Sequence, residues 1–226
     1  MRRLSGWSGL LMTATAGATA ALLLAGCGGG GSDSKSNEKS NDKPAATDTT
    51  GSEASASQGT SASAATDRPK IEVPSDLSYS FDWPETGDKD KDAVLSDSEQ
   101  SIEAVDLAIA HQNALDKPYL YYYEGEAAVG TQKFIQNYVD HKASITGAYR
   151  FYSPAVAVTK NGTASFSYCE DQGKAFVKYL HPRKIKKTEV TAKSYVSYHT
   201  SLRKNGNGVW VIQKITSQSG STECRP

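Results

Sequence analysis

The sequence has few of the residues that build catalytic metal centres and redox sites. It contains three cysteines and four histidines among its 226 residues. No CxxC pair occurs, and cysteines and histidines do not group at zinc-binding spacing. The nucleophile elbow, the glycine-rich phosphate loop and the HExxH zinc motif are absent as well. The sequence therefore assigns no catalytic residue, no metal and no cofactor.

The sequence also lacks a long, strongly apolar run. A membrane-spanning helix needs about 20 such residues. The best candidate, residues 9–24, is shorter, is interrupted by three threonines, and follows the cationic Arg2 and Arg3. A positive start followed by a short apolar stretch is typical of an export signal.

This stretch ends in Leu24-Ala25-Gly26-Cys27, which resembles the lipobox of bacterial lipoproteins. In that family the cysteine thiol receives a diacylglyceryl group and the peptide is cut just before it. The resemblance implies a signal peptide over residues 1–26 and an acylated Cys27 that anchors the chain to the extracytoplasmic face of the cell membrane, because two acyl chains bind a membrane stably. The alternative is a plain secretory signal in which Cys27 has no role.

Residues 28–68 contain no aromatic residue and no Val, Ile, Leu or Met. Such a segment cannot offset the entropy of ordering its backbone. Residues 27–68 are therefore predicted to form the lipidated cysteine and a disordered tether. One globular region of ordinary domain size remains, residues 69–226.

With Cys27 assigned to lipid, Cys169 and Cys224 are left in a chain that leaves the reducing cytoplasm. An even number of cysteines in an oxidising compartment predicts a disulfide between them. Two free thiols are the alternative.

Net charge is zero, but the charges are unevenly distributed. Residues 69–171 hold 8 Lys and Arg against 17 Asp and Glu, whereas residues 172–226 hold 11 against 2. We expect the two halves to attract each other within one fold. A nucleic-acid binder would be basic overall and would not be tethered outside the cell, so that class is excluded.

Residues 69–95 indicate an irregular leader, with the acidic run 87–92 as a solvated loop. That run is not an EF-hand calcium loop, because the spacing with its central Gly and closing Glu is missing. Phe81 and Trp83 are expected to clamp the leader onto the domain, since paired aromatic rings bury a large area.

Helices are predicted next. Ser96 and Glu99 fit the S-x-x-E capping box, and apolar residues then recur at helical spacing to about Leu115. The cluster 119–123, rich in tyrosine, indicates a short helix or turn in the core. A further helix is predicted to begin at Gly130.

From Ala148 the apolar pattern has a period of two, which predicts strands. Asn161-Gly162 is a strong hairpin signal. A second hairpin is predicted from residues 175–180 and 188–191, with a basic tip between them. Two more strands, 195–202 and 209–215, complete an α+β domain over residues 96–226 with two or three helices on a curved antiparallel sheet.

This order of elements resembles the NTF2-like, or cystatin-like, cone. The strings Tyr168-Cys169-Glu170-Asp171-Gln172, Leu202-Arg203-Lys204-Asn205 and Gly208-Val209-Trp210, with the closing Gly220 to Cys224, also resemble actinobacterial lipoproteins of unassigned function. The resemblance implies a fold and a disulfide, but no activity, since this fold hosts isomerases, dehydratases and binding modules.

In NTF2-like enzymes an acid or base projects into a pocket between helix and sheet, often beside a tyrosine. The candidates here are Asp106 on the predicted helix and Glu170 and Asp171 beside the predicted disulfide, with His199 as a candidate for lining the cavity. The competing interpretations are a turn cap for Asp171 and a surface or core position for His199.

The basic segment 181–187 is the sharpest surface feature. Arg183, Lys184, Lys186 and Lys187 are candidates for contact with anionic lipid headgroups or envelope polymers, and a solvated hairpin is the alternative.

The leading hypothesis is a membrane-anchored extracytoplasmic lipoprotein whose domain is a noncatalytic ligand- or partner-binding module. Its partners would be the membrane through the lipid, and an anionic envelope polymer or another envelope protein. The alternative is an NTF2-like isomerase or dehydratase acting on a small carbonyl compound. A two-lobed solute-binding protein is excluded by size, and the oligomeric state stays open.

Overall fold

The computed structural model describes residues 68–225. The predicted signal peptide, Cys27 and almost all of the tether lie outside the described residues. The helices are α1 (Lys89–Ala110), α2 (Lys117–Leu120) and α3 (Gly125–Asp140), and the strands are β1 (Leu77–Phe81), β2 (Ala143–Val158), β3 (Thr163–Leu180), β4 (Arg183–Lys186), β5 (Tyr195–Lys204) and β6 (Trp210–Ser219).

Helix α1 begins seven residues before the predicted start at Ser96. Its N-cap is Asp88, whose carboxylate accepts hydrogen bonds from the amides of Asp90 and Lys91 at 3.0 and 3.2 Å. The acidic run therefore caps and charges the first turn, where carboxylates are favoured by the helix dipole. The predicted solvated loop over 87–92 and the capping box at Ser96 are wrong, because the stronger cap lies upstream.

The aromatic cluster 119–123 is packed into the core, as predicted. Tyr119 and Tyr122 are fully buried and flank the end of the short helix α2. Helix α3 begins at Gly125, five residues before the predicted start at Gly130. Gly125 has a positive φ of 56° and lets the chain turn from the core cluster directly into this helix.

The sheet has the strand order β1-β2-β3-β5-β6, with β4 paired to β3. The β2–β3, β3–β5 and β5–β6 pairs are antiparallel, and the predicted hairpin at Asn161-Gly162 joins the first of them. Bulges interrupt the β2–β3 ladder near Ala148 and Tyr152. Bulges bend the strands that carry them, which lets two strands of 16 and 18 residues curve around the helices.

The leader contains a strand that the sequence analysis missed. β1 pairs in parallel with β2, along the edge of β2 that does not pair with β3, with Leu77 opposite Gly147 and Phe81 opposite Phe151. Gly147 is required there, because a Cβ would lie 2.1 Å from the carbonyl oxygen of Lys174. The prediction of an irregular leader over residues 69–95 is therefore wrong, since it contains β1 and the first two turns of α1.

The second predicted hairpin is present, but its return strand begins earlier in the chain than predicted. Its turn is at residues 181–182, and the returning strand is β4, with Arg183 opposite Leu180 and Lys186 opposite Val177. The basic residues therefore form the return strand itself, and residues 188–191 are not in a strand.

The core lies between α1 and the concave face of the sheet. Twelve residues of α1 are buried, and they pack against inward-facing aromatic side chains of β2 and β3. The predicted α+β class, with helices packed on a curved, mainly antiparallel sheet, is confirmed; strand β1 precedes the helices and adds one parallel pair. None of the helices within residues 68–225 is long and apolar enough to cross a membrane.

Cys169 and Cys224 are joined by a disulfide, with their Cα atoms 5.4 Å apart. Both side chains are buried on the side of β3 that faces away from α1. The hydroxyl of Tyr152, on the neighbouring strand, donates to the carbonyl of Cys224. The bond fixes the last residues of the chain to the middle of the sheet.

We expect the paired change Cys169→Ser with Cys224→Ser to lower the free energy of unfolding by about 2–4 kcal/mol, because the bond closes a loop of 55 residues in the unfolded chain. Urea unfolding followed by tryptophan fluorescence measures this. Cys27→Ser is the matched control and should change the value by less than about 0.5 kcal/mol. An equal midpoint for both proteins would contradict the prediction.

Candidate functional site

Aromatic rings line the inner face of the sheet, which faces α1. Phe151, Phe166 and Tyr168 project inward from β2 and β3 and are nearly fully buried. The indole of Trp83, which follows β1, lies against the last two, with ring centroids 5.1 Å from Phe166 and 5.7 Å from Tyr168. It also contacts Phe81 at 4.9 Å, so the predicted aromatic clamp by the leader is confirmed.

Asp106 faces the interior of the domain. It is on α1, is 0% exposed, and accepts a hydrogen bond of 3.0 Å from the hydroxyl of Tyr79 on β1. The Tyr79 ring is stacked between Phe81 and Tyr149 at about 6 Å. The structure thus places this predicted candidate between helix and sheet, next to a tyrosine donor, as the fold resemblance implied.

Two further carboxylates share the face of α1 that carries Asp106. Glu99, Glu103 and Asp106 are spaced four and three residues apart, which aligns side chains along one side of a helix. Burial, together with the negative charge of Glu103, raises the pKa of Glu99 to about 7. Burial and the neighbouring Asp106 also raise the pKa of Glu103. Glu99 can therefore exchange a proton near neutral pH.

A fourth carboxylate, Glu170 on β3, is 0% exposed on the inner face of the sheet. Its Oε2 accepts hydrogen bonds from the hydroxyl of Tyr198 at 2.7 Å and from the amide of Gln172 at 2.8 Å. The Tyr198 ring is stacked on Tyr168 at 4.9 Å. Glu170 is thus held by donors from β3 and β5 and fixes the aromatic rings around it.

Asp97 is buried on another side of α1. Its Oδ1 accepts from Nε and a terminal nitrogen of Arg68, at 3.1 and 2.6 Å, and its Oδ2 accepts from the backbone amide of Trp210 at 2.8 Å. One carboxylate therefore joins the first described residue, α1 and the start of β6.

Of the predicted candidates, Asp106 and Glu170 face the interior, and Asp171 and His199 do not. Asp171 is on the outer face of β3, where its carboxylate accepts from the amide of Gly173 at 2.7 Å; both residues are within the strand, so the turn that Asp171 was alternatively predicted to cap is absent. His199 is exposed on the outer face of β5, beside a shallow depression of about 270 Å³. Strand alternation explains the separation, because Asp171 and His199 directly adjoin the inward-facing Glu170 and Tyr198.

Sequence reasoning missed Glu103 and Asp97, and it took Glu99 for a cap. The helical spacing of Glu99, Glu103 and Asp106 could have revealed their shared face. No sequence pattern could reveal the donors Arg68 and Tyr79, which lie 29 and 27 residues from their partners. Among residues 68–225, no three His, Cys, Asp or Glu side chains are arranged to hold a metal ion.

The basic residues Arg183, Lys184, Lys186 and Lys187 lie at the β3–β4 hairpin, far from these carboxylates along the chain. The first three belong to β4, and Lys187 follows it. Arg183 and Lys184 line a depression of about 630 Å³ together with Lys178, Tyr179, Leu180 and Ile185.

No family model matches the chain, and no curated protein matches its sequence. Solved structures similar to this chain include the intermembrane space region of the chloroplast protein ARC6 (11% identity, TM-score 0.39, covering 58% of this chain and 98% of that one). A second is a candidate aromatic ring hydroxylase from Novosphingobium aromaticivorans (13% identity, TM-score 0.42, covering 58% of this chain and 89% of that one). A third is a candidate ketosteroid isomerase from Shewanella frigidimarina (14% identity, TM-score 0.29, covering 57% of this chain and 98% of that one). Likenesses this weak carry no argument about what the chain does.

We expect Glu99→Gln to change how stability depends on pH. The folded-state pKa of Glu99, about 7, is above its usual 4.5. The folded state favours the protonated carboxyl. Its contribution to the free energy of unfolding is therefore fully present below about pH 4.5 and is lost as the pH rises towards 7. The variant should be more stable than the parent above pH 7, by about 1–2 kcal/mol after allowance for partial exposure.

Thermal unfolding at several pH values between 4 and 8 checks this. The matched control is Glu126→Gln on α3, whose side chain is 76% exposed and which should leave the pH profile unchanged. Parallel pH profiles for Glu99→Gln and the parent would contradict the assignment.

Proposed function

We propose that the chain is a lipoprotein, anchored through Cys27 to the extracytoplasmic face of the cell membrane, and that its folded domain is a noncatalytic binding module. The position of Trp83 carries the second part of this proposal. In NTF2-like enzymes the substrate occupies the space between helix and sheet, and here the partly buried indole of Trp83 packs on Phe166 and Tyr168, which line the inner face of the sheet.

The hydrogen bonds of the buried carboxylates support the same proposal. Asp106 and Glu170 each accept from a tyrosine hydroxyl of the protein, at 3.0 and 2.7 Å. A buried carboxylate that is already satisfied is less available to a substrate and contributes to a fixed interior. A partner would then bind on the surface of the domain.

The disulfide supports the extracytoplasmic location. Disulfides persist in oxidising compartments and are rare in the cytosol. Cys169 and Cys224 are bonded. The lipobox-like Leu24-Ala25-Gly26-Cys27 supplies the anchor.

An isomerase or dehydratase acting on a small carbonyl compound is the second candidate. Two observations favour it. The Asp106 carboxylate lies beside a tyrosine donor, and Glu99 has a pKa of about 7 in the same face of α1. Proton abstraction next to a carbonyl needs a carboxylate base close to a hydroxyl that donates to the developing oxyanion.

We expect Cys27→Ala to release the protein from membranes, because the diacylglyceryl group can form only on the cysteine sulfur. Fractionation of expressing bacteria, with the protein detected in pellet and supernatant, measures this. Ser32→Ala is the control and should leave the protein in the membrane pellet. A Cys27→Ala protein that still sediments with membranes would rule out the anchor.

We expect the chain not to accelerate exchange of the α-protons of small ketones in deuterated water, a step that an isomerase or dehydratase of this kind requires. Proton NMR of simple and β-hydroxy ketones measures the exchange. Asp106→Asn is the control, since it keeps the size of the side chain and removes the base. Exchange that the parent accelerates and Asp106→Asn abolishes would establish the enzyme instead.

A further inference from the structure

The β3–β4 hairpin, residues 178–187, carries uncompensated positive charge. Within residues 68–225, none of Arg183, Lys184, Lys186 and Lys187 forms an ion pair. The hairpin contains no acidic residue. Its one neutralised cation is Lys178, which is paired with Asp76 at 2.7 Å.

Ion pairs compensate part of the basic half outside the end of the hairpin. Lys178, Arg203, Lys204 and Lys214 each pair with a carboxylate of the acidic half, at 2.6 to 3.8 Å. The hairpin differs from the rest of this half because four cations without an ion pair in the described part of the chain lie within five consecutive residues, 183–187.

An apolar side chain lies among these cations. Ile185, in the middle of β4, is 48% exposed. Strand alternation and the pairing of Lys178 with Ile185 and of Leu180 with Arg183 put these four residues on one face of the hairpin. Lys184 and Lys186 project from the other face, so the unpaired cations lie on both sides of the strand that carries Ile185. Apolar side chains flanked by cations suit the boundary between lipid headgroups and acyl chains.

The hairpin also adjoins the end of α3. The amide of Leu180 donates to the carbonyl of Lys142 at 2.8 Å, and both Lys142 and its neighbour His141 are exposed. The basic surface therefore extends from the hairpin onto a second element.

We propose that the β3–β4 hairpin docks the domain onto anionic lipids of the membrane that carries it. This rests on the proposed membrane location, because the hairpin meets such lipids only there. The chain length allows it. Arg68 is held by Asp97 in the first half of α1, and the hairpin lies near the C-terminal end of that helix, where Gln112 bonds to the carbonyl of Ala143. The 40 residues between Cys27 and Arg68 can reach about 130 Å when extended, several times the length of α1.

Vesicle sedimentation tests the proposal. The protein is the chain from residue 27 with Cys27→Ser, so that no lipid anchor contributes. We expect it to sediment with vesicles of 30% phosphatidylglycerol in phosphatidylcholine, and to remain in solution with phosphatidylcholine alone. Binding should weaken steeply as salt is raised, because the contact is largely electrostatic.

The double variant Arg183→Gln with Lys184→Gln should lower the partition coefficient about 25-fold, because each positive charge near an anionic surface contributes about a factor of five. The matched control removes two exposed positive charges away from the hairpin, Lys89→Gln with Lys160→Gln, and should change it less than twofold. Ile185→Ser should lower it about threefold, and this loss should persist at high salt. Circular dichroism verifies that each variant is folded.

Equal loss in both charge variants, or equal binding to both vesicle types, would overturn the proposal. So would binding to soluble poly(glycerol phosphate) without binding to either vesicle, which would identify an envelope polymer as the partner. No binding to any of these would also overturn it. The Cys27→Ala fractionation is independent, since no chain in the vesicle experiment carries an anchor.

Discussion

Helix α1 buries two carboxylates, and the packing of the domain depends on how they are held. An unpaired carboxylate in a protein interior costs several kcal/mol, so each requires donors. Asp97 receives them from Arg68 and from the amide of Trp210, and Asp106 receives one from Tyr79. These contacts bring the beginning of the domain, the first strand and the last strand onto one helix.

The hydrogen bond between Tyr79 and Asp106 also positions the aromatic side chains near it. Tyr79 reaches Asp106 from a strand that continues into Phe81 and Trp83, so the bond to the helix carboxylate also directs these rings over the sheet. Phe81 and Trp83 pack there on Phe151 and Phe166 of β2 and β3.

Charge is organised by the same arrangement. The acidic leader and helices pack against the basic strands, and Asp76, Asp90 and Glu124 meet cations of the other half. Most of these pairs are exposed and contribute little stability individually. They neutralise single cations of β3 and β5, whereas the four cations of residues 183–187 in the β3–β4 hairpin have no ion pair within residues 68–225.

The sequence by itself determined the α+β class, the Asn161-Gly162 hairpin, the buried tyrosines at 119–123 and the Cys169–Cys224 bond, because period, turn residues and cysteine count are local or compositional signals. Tertiary structure decided the rest. β1 is a strand because an edge of β2 is available to pair with it. The two strands are far apart in the sequence, so their parallel pairing leaves no signal in the sequence around β1. Asp106 became an interior group while Asp171 and His199 were turned outward, since the face that a side chain takes depends on bulges and register set by distant strands.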